Sequence, residues 1–163
     1  SDGYGNSRVV RLARDGRPIA AFGRKGTGVG EFDLPHGIAI DARDRIYVAD
    51  RGNQRVQIFD LSGRSLGVWG EETFGAGSRP WGVEIASDRL FVIDGGHMNP
   101  ELAGFAQITR VSLAGEIEAR WSRYGGAPGE LAWGHDIAVG PDGAVYTAEV
   151  RINDRIQKFV PTR

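Results

Sequence analysis

The chain has 163 residues, a formal net charge of −1 at pH 7 and no cysteine. The balanced charge gives no bulk electrostatic attraction to nucleic acid or to a membrane surface. The absence of cysteine excludes disulfides and thiolate metal sites. No apolar run approaches the roughly 20 residues that span a bilayer and no signal peptide is visible, so the sequence leaves the compartment open.

One pattern of short strands recurs along the chain. Its fullest copy is Pro35–Phe59 (PHGIAIDARDRIYVADRGNQRVQIF), and copies of its first strand begin again at Pro80 and at Gly134. A period of about 45 to 54 residues, built only from short strands, is typical of the four-stranded blades of a β-propeller. No stretch shows a sustained helical period. The predicted fold is therefore all-β, a propeller of about three to four blades.

The repeat divides the chain into four predicted units, in chain order 1–32, 33–77, 78–131 and 132–163. The first unit holds the two outer strands of a blade and a crossover, because the turn Asp15-Gly16 separates two alternating segments. The last unit holds three strands, so its fourth strand is expected from a segment that precedes this chain. Open blade edges of this kind also allow self-association of two copies.

Two histidines share one position of the repeat. His36 and His135 both stand at the start of an innermost strand, and Trp81 holds that position in the blade between them. In a six-bladed ring, alternate blades lie about 120° apart, so three such histidines would converge on the axis. Three imidazoles with one open position form a typical catalytic zinc site. The third ligand would lie upstream of this chain, and the alternative is that both histidines only pack, as Trp81 does.

Further candidates are marked by their positions. Asp136 stands where the other blades have glycine, and could bind a hard cation or accept bonds from backbone amides. Tyr4 and Arg51 follow the second strands of adjacent blades, where a phenol could transfer a proton and a guanidinium could clamp a carboxylate. Either could equally be a surface or packing residue. His97 lies in a Gly- and Pro-rich insert outside the repeat, whereas Asp50, at a recurring strand end, is predicted to hold a turn.

These residues carry a family resemblance. Pro35–Phe59 resembles an NHL repeat, and the string Asp2–Arg8 (DGYGNSR), taken with Pro35-His36-Gly37 and His135-Asp136-Ile137, resembles the peptidyl-α-hydroxyglycine α-amidating lyases. The resemblance covers nearly the whole chain. It implies a six-bladed propeller with an axial zinc held by three histidines and a structural calcium nearby. The reaction of that family cleaves the N–Cα bond of a peptidyl-α-hydroxyglycine and gives a peptide amide and glyoxylate.

Carried over residue by residue, the resemblance implies that His36 and His135 are zinc ligands and that Asp136 is a calcium ligand. Tyr4 matches the tyrosine proposed as general base in that family. Arg51 matches an arginine of the active site that would contact the substrate carboxylate. The remaining zinc histidine belongs to a blade outside this chain.

The leading hypothesis is a metal-dependent lyase that acts on a small peptide or a hydroxy-acid-like substrate, for which the resemblance implies a secreted or periplasmic location. Trp133-Gly134 depart from the apolar residue and proline that usually precede the second histidine of the family. The alternative is a non-catalytic NHL propeller that binds a protein, peptide or RNA on one face, or a sensor or scaffold domain. An RNA-binding face should be basic and rich in aromatic residues, which the balanced charge does not favour.

Overall fold

The computed structural model describes residues 1–96 and 106–161. This part of the chain forms thirteen strands and one single-turn helix, α1 (Glu71–Phe74). The strands are β1 (Val9–Leu12), β2 (Pro18–Phe22), β3 (Pro35–Ile40), β4 (Ile46–Asp50), β5 (Arg55–Phe59), β6 (Ser65–Trp69), β7 (Pro80–Ala86), β8 (Arg89–Asp94), β9 (Gln107–Ser112), β10 (Ile117–Trp121), β11 (Gly134–Val139), β12 (Val145–Glu149) and β13 (Ile156–Phe159).

The strands form four antiparallel sheets, in the orders β1-β2, β3-β4-β5-β6, β7-β8-β9-β10 and β11-β12-β13. Each sheet is a meander in which consecutive strands pair, as in a propeller blade. The predicted β-propeller fold is therefore confirmed, and the four sheets do not close into a ring within the described residues. No helix in this part of the chain is long and apolar enough to cross a membrane.

The helix α1 is the one departure from the all-β prediction. It is four residues long, so it leaves no helical period in the sequence to be recognised. The Glu72 carboxylate accepts a hydrogen bond from the Gly70 N–H at 2.9 Å, which satisfies a backbone donor at the start of the turn. Phe74 anchors the turn because its ring is buried in the core between the second and third sheets.

The hydrophobic core lies between successive sheets. Side chains of β4 alternate between the two neighbours, because successive residues of a strand point to opposite faces. Ile46 and Val48 pack toward the first sheet, while Tyr47 and Ala49 pack toward the third. Both faces of β4 are therefore covered, and all five of its residues are buried. This explains why β4 is a continuous apolar run that ends in a single carboxylate.

That carboxylate, Asp50, ties β4 to the next strand and to the preceding crossover. It accepts hydrogen bonds from the Asp33 N–H at 2.8 Å, Asn53 Nδ2 at 2.8 Å, Arg55 Nε at 2.8 Å and Gln57 Nε2 at 3.0 Å. The side chain is fully buried, and four donors compensate its desolvation. The predicted structural role of Asp50 is confirmed.

Glu149 makes the same network in the last sheet. It accepts from the Ala132 N–H at 2.8 Å, Asn153 Nδ2 at 2.6 Å, Arg155 Nε at 2.7 Å and Gln157 Nε2 at 2.7 Å. The longer side chain compensates for the one-residue difference in spacing between these two blades. The repeat is thus conserved as a set of contacts even where the acidic residue changes.

Removing the Asp50 carboxylate should destabilise the fold strongly. Asp50→Ala leaves the Arg55 guanidinium, which is 13% exposed, and three further donors without their acceptor. The free energy of unfolding, measured by urea denaturation, should fall by about 3–5 kcal/mol. The control is Arg64→Ala, because the exposed Arg64–Asp60 pair should contribute less than about 1 kcal/mol. Equal losses in the two variants would contradict the assignment.

Candidate functional site

The side chains at the second position of the innermost strands β3, β7 and β11 meet in a cluster of three rings. The ring centroids of His36 and His135 lie 4.7 Å apart, and each lies 5.4 Å from the Trp81 ring. Leu34 and Trp133 directly precede β3 and β11, and they have positive φ angles of 53° and 59°. The two histidines therefore begin their strands from the same local backbone turn.

The backbone of Trp81 fixes the orientation of one imidazole. Nδ1 of His36 lies 2.8 Å from the Trp81 carbonyl oxygen. A carbonyl only accepts, so Nδ1 carries the proton and donates it, and Nε2 keeps its lone pair. A histidine that binds a metal through one nitrogen typically donates its other N–H in this way. The tautomer of His36 therefore suits a metal ligand.

The spacing of the two histidines fits a shared zinc ion. Imidazoles that bind one tetrahedral zinc would place their ring centroids about 5 Å apart, close to the 4.7 Å observed. Among residues 1–96 and 106–161, no group of three or more His, Cys, Asp or Glu could hold a metal ion. The zinc-ligand roles of His36 and His135, like the third histidine that the resemblance implies, therefore stay predictions.

Electrostatics keeps His36 neutral. Burial is the largest effect and lowers the pKa of this imidazole below its ordinary value of 6.5. The Trp81 carbonyl and the Asp136 carboxylate oppose the shift, whereas the interactions with His135 and Arg51 add to it. A neutral imidazole is the form that binds a metal ion or accepts a proton.

The lowered pKa of His36 predicts a pH dependence of stability. The unfolded imidazole binds its proton near pH 6.5, whereas the folded one binds it only at lower pH. Between the two values the unfolded state holds more protons, so this contribution to stability is present above pH 6.5 and is lost as the pH falls. Urea unfolding in a chelator at several pH values should show the loss, and His36→Gln should remove this part of it. An unchanged pH profile in the variant would contradict the shift.

Arg51 is a buried cation beside this cluster. It follows β4 directly, is 6% exposed, and its guanidinium carbon lies 3.7 Å from the centroid of the Trp81 ring. Its Nη1 donates to the Tyr4 hydroxyl at 3.5 Å. Burial lowers the pKa of the guanidinium, and the nearby Arg79 lowers it further. Two cations thus lie near each other at one end of the innermost strands.

In the described part of the chain, Arg51 forms no ion pair. The ten ion pairs found there use other basic residues. Arginine is almost never fully buried unless it is paired, because a desolvated charge is costly. A guanidinium offers five donors in a planar fork that matches a carboxylate. The position of Arg51 therefore suits an anionic ligand.

Tyr4 is placed by the loop that precedes β1. Asp2 holds this loop by accepting bonds from Asn6 Nδ2 at 2.9 Å and Arg8 Nε at 2.9 Å. The Tyr4 side chain is 75% exposed, and its ring centroid lies 6.1 Å from that of His36. The structure thus brings Tyr4, Arg51 and the two histidines to one end of the innermost strands.

Asp136 directly follows His135 in β11 and is exposed. Its Oδ1 accepts a hydrogen bond from the N–H of Ile137 at 2.9 Å, one of the alternatives that the sequence left open. Burial raises the pKa of Glu84, on the neighbouring strand β7, and the Asp136 carboxylate raises it further. Two acids thus lie near each other, and a calcium ligand role for Asp136 stays a prediction.

Two tryptophans of the site were not predicted to be functional. The rings of Trp81 and Trp133 lie 6.0 Å apart, and the Arg151 guanidinium lies 4.7 Å from the Trp133 ring. In the sequence, Trp81 stands at the same repeat position as the two histidines. A requirement for a bulky side chain at this position could also explain it. His97, the remaining candidate, lies outside the described residues.

Comparison with known proteins supports the resemblance. Residues 32–59 match the NHL repeat. Over 98% of its length the chain is 29% identical to NHL repeat-containing protein 3 of Homo sapiens. Over 99% it is 27% identical to peptidylglycine alpha-amidating monooxygenase of Rattus norvegicus. The chain spans 45% of the first relative and 17% of the second, less than half of either.

The fold has counterparts among solved structures. Virginiamycin B lyase from Staphylococcus aureus matches 96% of this chain with a TM-score of 0.63 and 18% sequence identity, and the chain covers 50% of that structure. This similarity concerns the fold alone. The chain thus carries an NHL repeat, has a propeller fold, and is a distant homologue of the amidating monooxygenases, as the residues predicted.

Proposed function

We propose that these NHL-type blades carry part of the axial site of a metal-dependent lyase that cleaves a peptidyl-α-hydroxyglycine or a similar small hydroxy acid. The observation that carries the proposal is the buried Arg51, which has no acidic partner in the described residues and lies in one cluster with Tyr4 and the two histidines. A buried charged group without a partner of opposite charge is typical of a ligand site. Distant homology to the amidating monooxygenases supports the same conclusion.

Arg51 would bind the carboxylate of the substrate. Its guanidinium carbon lies 3.7 Å from the centroid of the Trp81 ring, and the planar fork of donors matches two carboxylate oxygens. A carboxylate would also compensate the desolvation that lowers the pKa of Arg51. This anchors the acid end of the substrate beside the two imidazoles.

Tyr4 would take the proton of the substrate hydroxyl. Its own hydroxyl accepts a bond from Arg51 Nη1 at 3.5 Å, so it lies next to the proposed carboxylate position. As the hydroxyl proton leaves, its electron pair forms the C=O bond of glyoxylate and the C–N bond breaks. The amide nitrogen then takes a proton and leaves as the peptide amide. The exposure of Tyr4 allows exchange of that proton with water.

His36 and His135 would hold a zinc ion, together with a ligand from outside the described residues. Such an ion would act as a Lewis acid that makes the substrate hydroxyl more acidic. The neutral, Nδ1-protonated His36 is already in the form that a metal ligand requires. Asp136 would hold a structural calcium, as the resemblance implies.

The histidine pair should bind zinc. In the product of the complete gene, elemental analysis should find about one zinc per chain, and His36→Ala/His135→Ala should lose it. Release of glyoxylate from an α-hydroxyglycine peptide should be lost with the metal. The control is Arg43→Gln, at an exposed residue outside the histidine cluster, which should keep the zinc. A folded, zinc-free protein would overturn the lyase proposal and favour the alternative, a non-catalytic propeller.

Removing the charge of Arg51 should lower the activity, because the substrate carboxylate would lose its charged partner. Arg51→Gln should lower kcat/KM for glyoxylate release by about 10- to 100-fold, since a bond between charged groups is lost. Arg43→Gln removes an exposed arginine of the same sheet and should leave the rate unchanged. A substrate amidated at its carboxylate should react with Arg51→Gln and the parent protein alike. Equal kcat/KM values of Arg51→Gln and Arg43→Gln for the substrate with a free carboxylate would show that Arg51 does not bind that carboxylate.

A further inference from the structure

We propose that Trp81 is the positioning residue of Arg51: its indole holds the guanidinium in the orientation that receives a carboxylate, one ring away from the histidine pair. This rests on the proposed function, because the carboxylate belongs to the proposed substrate. It assigns a specificity role to a residue that the repeat alone would class as packing.

Trp81 contacts both Arg51 and the histidine pair. Its ring is 5.4 Å from each imidazole, and its backbone oxygen accepts the Nδ1 proton of His36. The guanidinium carbon of Arg51 lies 3.7 Å from the centroid of the same ring. A single indole therefore sets the distance between the proposed carboxylate anchor and the imidazoles.

The orientation of Arg51 depends on this ring because no carboxylate of the described residues holds it. The repeat arginines Arg55 and Arg155 show the contrast, since Asp50 and Glu149 bind them at 2.8 Å and 2.7 Å. Arg51 instead has one long hydrogen bond to the exposed Tyr4. Its guanidinium carbon also lies 3.7 Å from the centroid of the Trp81 ring, and tryptophan is the aromatic side chain with the strongest cation–π attraction.

Packing alone does not account for an indole at this position. Trp81 is 3% exposed, and its Nε1 donor is buried with no acceptor among the described residues. A buried donor without a partner is unfavourable, and leucine or phenylalanine would introduce no such donor. The extended π face of the indole is what those residues lack, and Arg51 lies over that face.

The test compares Trp81→Leu, Trp81→Phe and Arg51→Gln by their affinity for glycolate, a small 2-hydroxy acid, measured by calorimetry. Trp81→Leu should weaken binding by about 10-fold, and Trp81→Phe, which keeps an aromatic face, should stay within about 3-fold of the parent. In the Arg51→Gln background, Trp81→Leu should cause no additional loss. Additive losses, or an unchanged affinity in Trp81→Leu, would overturn the proposal because Trp81 would then not act through Arg51.

A spectroscopic readout separates this inference from the lyase proposal. The side-chain protons of Arg51 should show an upfield ring-current shift in the NMR spectrum of the parent protein, which is reduced in Trp81→Phe and lost in Trp81→Leu. Absence of the shift in the parent overturns the positioning role whatever the activity. If the shift and Arg51-dependent glycolate binding are present but glyoxylate is not released from the peptide, the lyase proposal fails and the positioning role stands. Should Trp81→Leu fail to fold, Trp81→Phe and the parent decide the result.

Discussion

The close approach of the three innermost strands is the constraint on which the site depends. A Cβ atom at Gly37 would lie 2.8 Å from the Trp81 carbonyl oxygen, and one at Gly82 would lie 3.2 Å from the Asp136 Cα. Any side chain at Gly37 would therefore push β3 and β7 apart. The same approach brings the Trp81 carbonyl to the His36 Nδ1 and the two imidazoles within 4.7 Å of each other. The glycine of the repeat thus positions the histidine that precedes it.

Arg51 differs from the repeat arginines Arg55 and Arg155 in how its charge is compensated. Arg55 and Arg155 are matched by buried carboxylates and by backbone carbonyls of the preceding crossover, so every charge is compensated within the chain. Arg51 lies only four residues before Arg55 but points to the tryptophan ring and the Tyr4 hydroxyl instead. Folding stability does not by itself account for a cation without an acidic partner, and the proposed substrate carboxylate would supply that partner.

The sequence predicted the strands and the strand-end acid because both follow a local period. The alternation of β4 and the position of Asp50 depend on neighbours within about ten residues along the chain. The contact of Arg51 with Trp81 joins residues 30 positions apart in different sheets, so no local pattern reports it. The helix α1 escaped prediction for the opposite reason, since one turn is too short to show a period. Trp81 was placed at the correct position of the repeat, but its role needed the geometry of its neighbours.

The positive charge of Arg51 acts on both the His36 imidazole and the proposed anion position. The positive charge of Arg51 lowers the pKa of His36, which burial has already lowered, and so favours the neutral imidazole. The same charge attracts an anion to the adjacent ring cluster. A carboxylate bound there would cancel part of the field and raise the pKa of His36 again, so proton binding at the imidazole and anion binding at the guanidinium are thermodynamically linked. A metal ion held by the two imidazoles would have a linkage of the same sign, because a cation at His36 also strengthens the attraction for the substrate acid. The proposed metal and carboxylate positions would therefore be coupled electrostatically across the Trp81 ring.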